Sequence, residues 1–287
     1  MAVVLGRPGA WTEAFRYTAE AAQIAAYAAA TNETDTRFAA GALASPMYAT
    51  VPVRPAVRAA FAQAMPEGLP PTVPRLAGEQ DMFFHQPIVA GMTVSVRGRF
   101  LGIFPKSSGT ALVFHFETRS DVDRLLNEQY MTTFLPRVAW PEEAGERPPD
   151  HAMPEDIQGR APLARVVQRF DDDQTYRYSA ASGDPSRWHI DNEFARAAGL
   201  PGIIIHGLCT MAFVARAVAQ TAGDGDLLRL KRLAVRFSRP IYPGSEMVTV
   251  IWLGHRNGAG TRLFCEAVGA DGAKVITNGL AEVAPPS

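Results

Sequence analysis

The sequence predicts an α+β fold of two similar halves, each a long helix wrapped by an antiparallel β-sheet. An internal repeat is the first observation behind this prediction: Gln86-Pro87-Ile88-Val89-Ala90-Gly91 is echoed by Arg239-Pro240-Ile241-Tyr242-Pro243-Gly244. The second is that each copy is followed by three strand-like runs, which are rich in β-branched and aromatic residues. A chain of 287 residues is long enough to bury a core in each half.

The six strand-like runs are bounded by Gly-containing turns such as Ser108-Gly109, Asn257-Gly258 and Asp271-Gly272, which favour hairpins. Because a hairpin joins strands that run in opposite directions, both sheets are predicted to be antiparallel. The predicted strands cover residues 93–104, 110–118, 125–135, 246–254, 261–268 and 273–283.

One core helix is predicted in each half. In the second half it covers residues 207–221, after Pro201-Gly202 and before Gly223, and it is apolar nearly all round, as a helix covered by a sheet should be. In the first half prolines interrupt the corresponding position, so the helix is predicted to begin near Pro55 and to run through Phe61.

The repeat also sets the predicted domain boundaries. Upstream of the strands, Tyr27-Ala28-Ala29-Ala30-Thr31-Asn32-Glu33 aligns with Tyr178-Ser179-Ala180-Ala181-Ser182-Gly183-Asp184. Between the halves, residues 136–160 hold five prolines among many charges, which is typical of a linker. The predicted domains are therefore residues 1–135 and 161–287, joined by a linker over residues 136–160.

Composition excludes several classes of protein. The net charge is −1, without an excess or a block of basic residues, which argues against a nucleic-acid partner. No apolar run approaches the roughly 20 residues of a membrane helix, and the first residues do not resemble a secretion signal. Cys209 and Cys265 are too few for a disulfide framework, so buried free thiols and a cytoplasmic location are predicted.

The residues with the clearest chemical meaning lie between positions 178 and 210. The stretch Ser182-Gly183-Asp184 is followed five positions after Asp184 by His189, and then by His206-Gly207-Leu208-Cys209-Thr210. Gly183 and Pro185 favour a tight turn that lets Asp184 and His189 share one water molecule. Gly207 begins the core helix, where its N–H is unpaired, benefits from the helix dipole and is open to a carbonyl oxygen.

This stretch resembles the MaoC-like, (R)-specific enoyl-CoA hydratase family, also called hydratase 2. The motif match covers residues 178–210, and the repeat is similar to that of the family's double-hotdog members. The resemblance implies a hydro-lyase that reversibly adds water to a 2-enoyl thioester, with Asp184 and His189 as the catalytic pair and Gly207 as the oxyanion donor. It implies a substrate carried by coenzyme A or acyl-carrier phosphopantetheine, no metal or redox cofactor, and a homodimer of double hotdogs.

The chain departs from the family pattern next to the catalytic pair. Ser186-Arg187 stands where the family usually has Asn-Pro, and Trp188 replaces a smaller aliphatic residue, which bears on acyl specificity and on hydration itself. Side chains around the motif are predicted to contact substrate, and they are Ser182, Gly183, Ser186, Arg187, Trp188 and His206.

The offset that relates Tyr27 to Tyr178 sets Glu33 opposite Asp184 and Phe38 opposite His189. The first half therefore lacks the histidine and is predicted to be a non-catalytic partner.

Taken singly, the same residues also fit simpler interpretations. Asp184 alone fits a turn carboxylate, His189 alone fits a partly buried structural histidine, and Asp191 fits a helix N-cap. Two other functions are also consistent with the sequence: a non-catalytic acyl-thioester-binding subunit of a heteromeric hydratase, and a hotdog thioesterase.

Overall fold

A computed structural model describes residues 3–65, 67–70 and 73–286 of the chain. The α-helices are α1 (Ala21–Ala30), α2 (Thr36–Ala39), α3 (Arg54–Ala64), α4 (Glu155–Gln158), α5 (Gln174–Ser182), α6 (Arg187–Ile190), α7 (Asn192–Ala197) and α8 (Gly207–Ala222), with short 3₁₀ helices at Pro46–Thr50 and Leu227–Arg229. The strands are β1 (Phe15–Thr18), β2 (Leu76–Phe84), β3 (Thr93–Lys106), β4 (Gly109–Ser120), β5 (Leu125–Pro136), β6 (Ala144–Gly145), β7 (Ala164–Arg169), β8 (Leu230–Phe237), β9 (Glu246–Asn257), β10 (Gly260–Gly269) and β11 (Lys274–Val283). All six predicted strands and both predicted core helices are confirmed.

The chain divides into two compact units that interleave along the sequence. The first unit contains the residues up to Thr18 together with Pro52–Gln86 and Thr93–Asp150. The second unit contains Ala19–Val51, Pro87–Met92 and the residues from His151 onward. The segment Ala19–Val51 thus belongs with the second unit, because α1 packs against α5 there. The division at residues 135 and 161 stays a prediction about the repeat, and the compact units do not follow it.

In the first unit an antiparallel sheet of order β1-β3-β4-β5-β2 carries helix α3. The ring of Phe61 on α3 lies 4.4 Å, centroid to centroid, from that of Phe114 on β4. Because neighbouring strand residues point to opposite faces, Val113 points away from α3 and joins a second apolar cluster with Leu101 and Phe104. Both faces of the centre of this sheet are therefore covered.

In the second unit the sheet order is β7-β9-β10-β11-β8, and it carries helix α8. Phe213 of α8 packs on Phe170 at a centroid distance of 4.3 Å, and most side chains of this helix are buried. Met153 and Ile157 pack into an apolar cluster with Trp252. The segment predicted as a linker therefore contains core residues and helix α4, because its few apolar side chains pack against the sheet of the second unit.

The two units repeat the same strand order, since β1, β3, β4, β5 and β2 correspond to β7, β9, β10, β11 and β8. Gly91 and Gly244, which the sequence repeat aligns, both have left-handed backbones with φ of 78° and 74°. Each half also begins with a short strand, β1 or β7, which the sequence analysis missed because four to six residues give too short a pattern. Among the described residues no helix is long and apolar enough to cross a membrane.

Candidate active site

The predicted acid follows directly on the end of helix α5. Gly183 caps this helix with φ of 69°, a left-handed conformation that glycine adopts without strain. The chain then turns back on itself, because the Asp184 N–H donates to Ser179 O (3.2 Å) and the Ser179 hydroxyl donates to Asp184 O (2.7 Å). The carboxylate of Asp184 accepts the N–H of Ser186 at 3.3 Å. Asp184 is thus held in a tight turn, half-exposed to solvent.

His189 lies on the short helix α6, and one hydrogen bond defines which nitrogen is basic. Its Nδ1 is 2.8 Å from the carbonyl oxygen of Ile204. Because a carbonyl oxygen can only accept, Nδ1 carries the proton and Nε2 keeps its lone pair in the neutral ring. Nε2 of His189 is therefore the atom able to take a proton from water.

The environment of His189 favours this neutral form. Burial lowers the pKa of His189 below its usual value of 6.5. The hydrogen bond to Ile204 O and the negative charge of Asp184 oppose that shift, but they are the smaller influences. A histidine with a lowered pKa is unprotonated at neutral pH and can act as a general base.

His206 lies directly against His189. The two imidazole rings stack with their centroids 3.7 Å apart and their planes inclined by 23°. Nε2 of His206 lies 3.2 Å from the backbone oxygen of Asp184, and its ring packs on Tyr178 at 4.9 Å. His206 is only 2% exposed, and the Ser182 side chain is also buried. Their predicted contact with substrate stays a prediction, and their direct contacts here are with the protein.

Gly207 is the first residue of helix α8, so its N–H has no acceptor within the helix. A β-carbon at this position would meet the ring of Phe237, with the nearest ring atom at 3.0 Å. The absence of a side chain therefore lets an aromatic ring from β8 approach the start of the helix. Phe237 could not be recognised from the sequence, because its proximity to Gly207 depends on how β8 and α8 pack.

The other residues around the motif have clear structural roles. Arg187 is exposed and forms an ion pair with Asp191 (2.7 Å), and its guanidinium lies 4.4 Å above the ring of Phe194. It does not pair with Asp184, since its side chain follows the surface of α6 and α7. Trp188 packs edge-on against the same Phe194 ring at 5.0 Å. The predicted N-cap role of Asp191 is confirmed, because its carboxylate accepts the N–H of Phe194 at 3.0 Å.

The repeat-related residues of the first half are built differently. Glu33 Oε1 accepts the backbone N–H groups of Thr34 and Asp35 at 2.9 and 3.0 Å, and Phe38, opposite His189 in the repeat, is fully buried. The position that corresponds to His189 therefore has no imidazole to act as a base, and the carboxylate of Glu33 is engaged by backbone N–H groups. This supports the prediction that the repeat-related position is non-catalytic.

A groove near the motif was not anticipated from the sequence. It has a volume of about 440 Å³, and Asn192, Gly202 and Ile203 form one side of it. The Asn192 side chain accepts the N–H of Ile203 at 3.1 Å, one residue before the carbonyl that binds His189. The remaining lining residues are Asp172, Tyr176, Pro201, Tyr242 and Pro243.

One cluster in the first unit has a composition suited to metal binding, but its hydrogen bonds do not favour a bound metal ion. His115, Glu117 and Glu128 place ligand atoms within 4.8 Å of one another. Arg99 donates to His115 Nδ1 (3.4 Å), which puts the ring proton on Nε2, the atom that faces Glu128 at 3.3 Å. Glu117 already accepts from two arginines. We interpret the cluster as an ion-pair network, and the expectation that the protein uses no metal or redox cofactor stays a prediction.

Comparison with protein families gives two matches that follow the repeat. The "MaoC like domain" model matches residues 153–272, and the "FAS1-like, dehydratase domain region" model matches residues 7–123. The 3-hydroxyacyl-thioester dehydratase Y of Mycobacterium tuberculosis is 33% identical over 216 residues, covering 72% of each chain. The probable enoyl-CoA hydratase 2 of Dictyostelium discoideum is 28% identical over 211 residues, covering 73% of this chain and 70% of the relative.

Solved structures with the same fold cover nearly all of the chain. A MaoC-like dehydratase from Phytophthora capsici matches with a TM-score of 0.79 at 22% identity, over 98% of this chain and 97% of that one. A Mycobacterium tuberculosis protein described as a double hotdog matches with a TM-score of 0.62 at 14% identity, over 98% and 96% of the chains. The α+β, double-hotdog prediction is confirmed.

Proposed function

The chain belongs to the MaoC-like dehydratase family, and from this premise we propose that it is a hydro-lyase, an (R)-specific enoyl-CoA hydratase or 3-hydroxyacyl-thioester dehydratase. The reaction adds water to a 2-enoyl thioester and runs in both directions. The observation that carries the proposal is the tautomer of His189, whose Nδ1 donates to Ile204 O and whose basic Nε2 belongs to a half-buried ring that follows the Asp184 turn by five residues.

In the proposed reaction, Asp184 and His189 hold one water molecule. Nε2 of His189 takes a proton from it as the water oxygen bonds to C3 of the enoyl group. The electron pair of the double bond moves toward C2 and the thioester oxygen, giving an enolate. A proton returned from the same cluster to C2 completes the 3-hydroxyacyl thioester. The thioester C–S bond stays intact, so no free thiol is released.

Gly207 supplies the electrostatic part of the mechanism. Its N–H, at the positive end of helix α8, is suited to donate to the enolate oxygen as negative charge develops there. One such donor contributes about 3–4 kcal/mol to barrier lowering in enzymes where it has been removed. General acid–base catalysis by the carboxylate and the imidazole contributes about 10²- to 10⁴-fold.

The test is hydration of crotonyl-CoA and of a longer 2-enoyl-CoA by the purified protein, followed as loss of enoyl absorbance with thiol release measured in parallel. We expect turnover without thiol release, and a loss of at least about 100-fold in Asp184→Asn and in His189→Ala. His255→Gln, at an exposed position of β9, is the matched control and keeps full activity.

Three outcomes would contradict the proposal. Thiol release from saturated acyl-CoA would indicate a thioesterase. Activity that appears only after another protein is added would indicate a binding subunit of a heteromeric hydratase. Normal turnover in both active-site variants would remove Asp184 and His189 from the mechanism.

A further inference from the structure

His206 contacts both residues of the proposed catalytic pair. Its ring stacks on His189 at 3.7 Å, and its Nε2 lies 3.2 Å from the backbone oxygen of Asp184. Because a carbonyl oxygen only accepts, Nε2 of His206 carries the proton in this contact. Asp184 and His189 come from a turn and from a short helix, so one side chain that touches both can fix the distance between them.

His206 also packs on an aromatic residue other than His189. Tyr178 of α5 packs on its ring, and the Tyr178 hydroxyl lies 3.4 Å from that of Tyr27 on α1. The Tyr27 hydroxyl donates to Met47 O at 2.9 Å. Both tyrosines are about 1% exposed. A buried row of aromatic rings therefore supports His206, and through it the ring of His189.

We propose that His206 is a positioning residue for the hydration reaction, keeping His189 neutral with Nε2 free and holding the Asp184 turn at the distance that one shared water requires. This inference rests on the proposed function. His206 does not take part in proton transfer, because its Nε2 proton is used by Asp184 O and its ring is buried. It acts by geometry and by excluding water from one face of the catalytic imidazole.

The stacking of His206 on His189 also disfavours a state in which both imidazole rings are protonated. The titratable groups in contact with His206 include Tyr178 on α5, His189 on α6 and Asp184 in the turn between them. Two imidazolium rings 3.7 Å apart would repel each other, so protonation of one ring opposes protonation of the other. Removing the second ring admits water to His189 and relieves this opposition.

Two substitutions at His206 distinguish its contact with His189 from its contact with Asp184. His206→Gln keeps a donor for Asp184 O but removes the stacked ring, whereas His206→Phe keeps a ring but removes the donor. We expect each to lower kcat by about 10- to 100-fold, because small misplacements of catalytic groups cost this much, with KM changed less than about threefold. In His206→Gln the acidic limb of the pH profile of kcat/KM is expected to move to higher pH. His255→Gln is the control.

A double variant tests whether His206 acts through His189. If it does, His189→Ala/His206→Gln is no slower than His189→Ala, because the group being positioned is already gone. Multiplying losses would overturn the inference. A loss in His189→Ala with normal rates in the His206 variants would overturn only this inference, whereas a normal rate in His189→Ala would overturn the proposed function.

Nitrogen-15 NMR of the unmodified protein tests the same inference without any variant. We expect the two rings to be opposite tautomers, with the proton on Nδ1 of His189 and on Nε2 of His206. The same tautomer in both rings would overturn the inference even if the variants fail to fold.

Discussion

The hydroxyl oxygens of Tyr27 and Tyr178 lie 3.4 Å apart, although the residues are 151 positions apart in the chain. They are repeat-related residues on helices α1 and α5, which pack against each other in the second unit. Their rings are 5.6 Å apart, centroid to centroid. The two halves of the sequence repeat therefore contact each other at Tyr27 and Tyr178, and Tyr178 in turn packs on His206.

The hydroxyl of Tyr27 is predicted to matter more for stability than that of Tyr178. Tyr27→Phe removes the 2.9 Å bond to Met47 O and should cost about 1 kcal/mol, whereas the Tyr178 hydroxyl lies at a longer 3.4 Å from that of Tyr27 and Tyr178→Phe should cost less. A cost of this size lowers the melting temperature by about 2–4 °C, which calorimetry can measure. A larger loss in Tyr178→Phe than in Tyr27→Phe would contradict this ranking.

Gly207→Ala is predicted to impair catalysis more than stability. Alanine is favoured over glycine in a helix, but its methyl group would meet the Phe237 ring at 3.0 Å and stand next to the N–H of residue 207. We expect a kcat at least about 10-fold lower, with the melting temperature nearly unchanged. Phe237→Leu in the same chain makes room for the methyl group. If kcat then recovered fully, displacement of the ring rather than shielding of the N–H would be the cause.

Arg187 is predicted to have no part in the chemical step. Its guanidinium is paired with Asp191 and lies over Phe194 on the exposed side of α6 and α7. Arg187→Met, which keeps the aliphatic stem and removes the charge, should leave kcat within about twofold. Any effect of its predicted contact with substrate would appear in KM, measured by steady-state kinetics with crotonyl-CoA. A 10-fold fall in kcat would show that the residue assists catalysis.

The activity is predicted to fall on the acid side because His189 must be neutral. Its pKa lies below 6.5, so kcat/KM should be on its plateau at pH 8 and should fall to half of that plateau at a pH below 6.5. The half-maximal point marks the pKa of the free protein. His115→Gln is a suitable control, since burial also lowers the pKa of His115, but this residue lies in the first unit. An acidic limb that moves in His115→Gln would contradict the assignment.

The lowered pKa values of His189 and His115 also predict how the stability of the fold depends on pH. The unfolded chain binds protons at histidine near pH 6.5, whereas folded His189 and His115 bind them only at lower pH. Their contribution is fully present above pH 6.5 and is lost as the pH falls from 6.5 through the folded values. Denaturation by urea at pH 7.5 and at pH 5.5 should therefore show lower stability at pH 5.5. The difference should be smaller in His115→Gln.

The sequence by itself determined the repeat, the strands and the residues of the proposed site. Runs rich in β-branched and aromatic residues, Gly-containing turns and the repeated Pro-Ile segments report local conformation, so they located the strands and both core helices closely. The motif from Ser182 to Gly207, with its resemblance to the MaoC-like family, gave the catalytic candidates, because it lies in a short continuous stretch. The Asp191 N-cap was visible for the same reason.

Only the tertiary structure decided which distant groups meet. It placed Ala19–Val51 in the second unit, turned Arg187 toward Asp191 and stacked His206 on His189. Met153 and Ile157 were assigned to a linker from the sequence, whereas in the fold they pack into an apolar cluster with residues of the sheet in the second unit. The physical reason is that hydrophobic burial and ring packing depend on which surfaces the folded chain brings together. The residues in such contacts are far apart in the sequence, so the local spacing of apolar residues does not identify them.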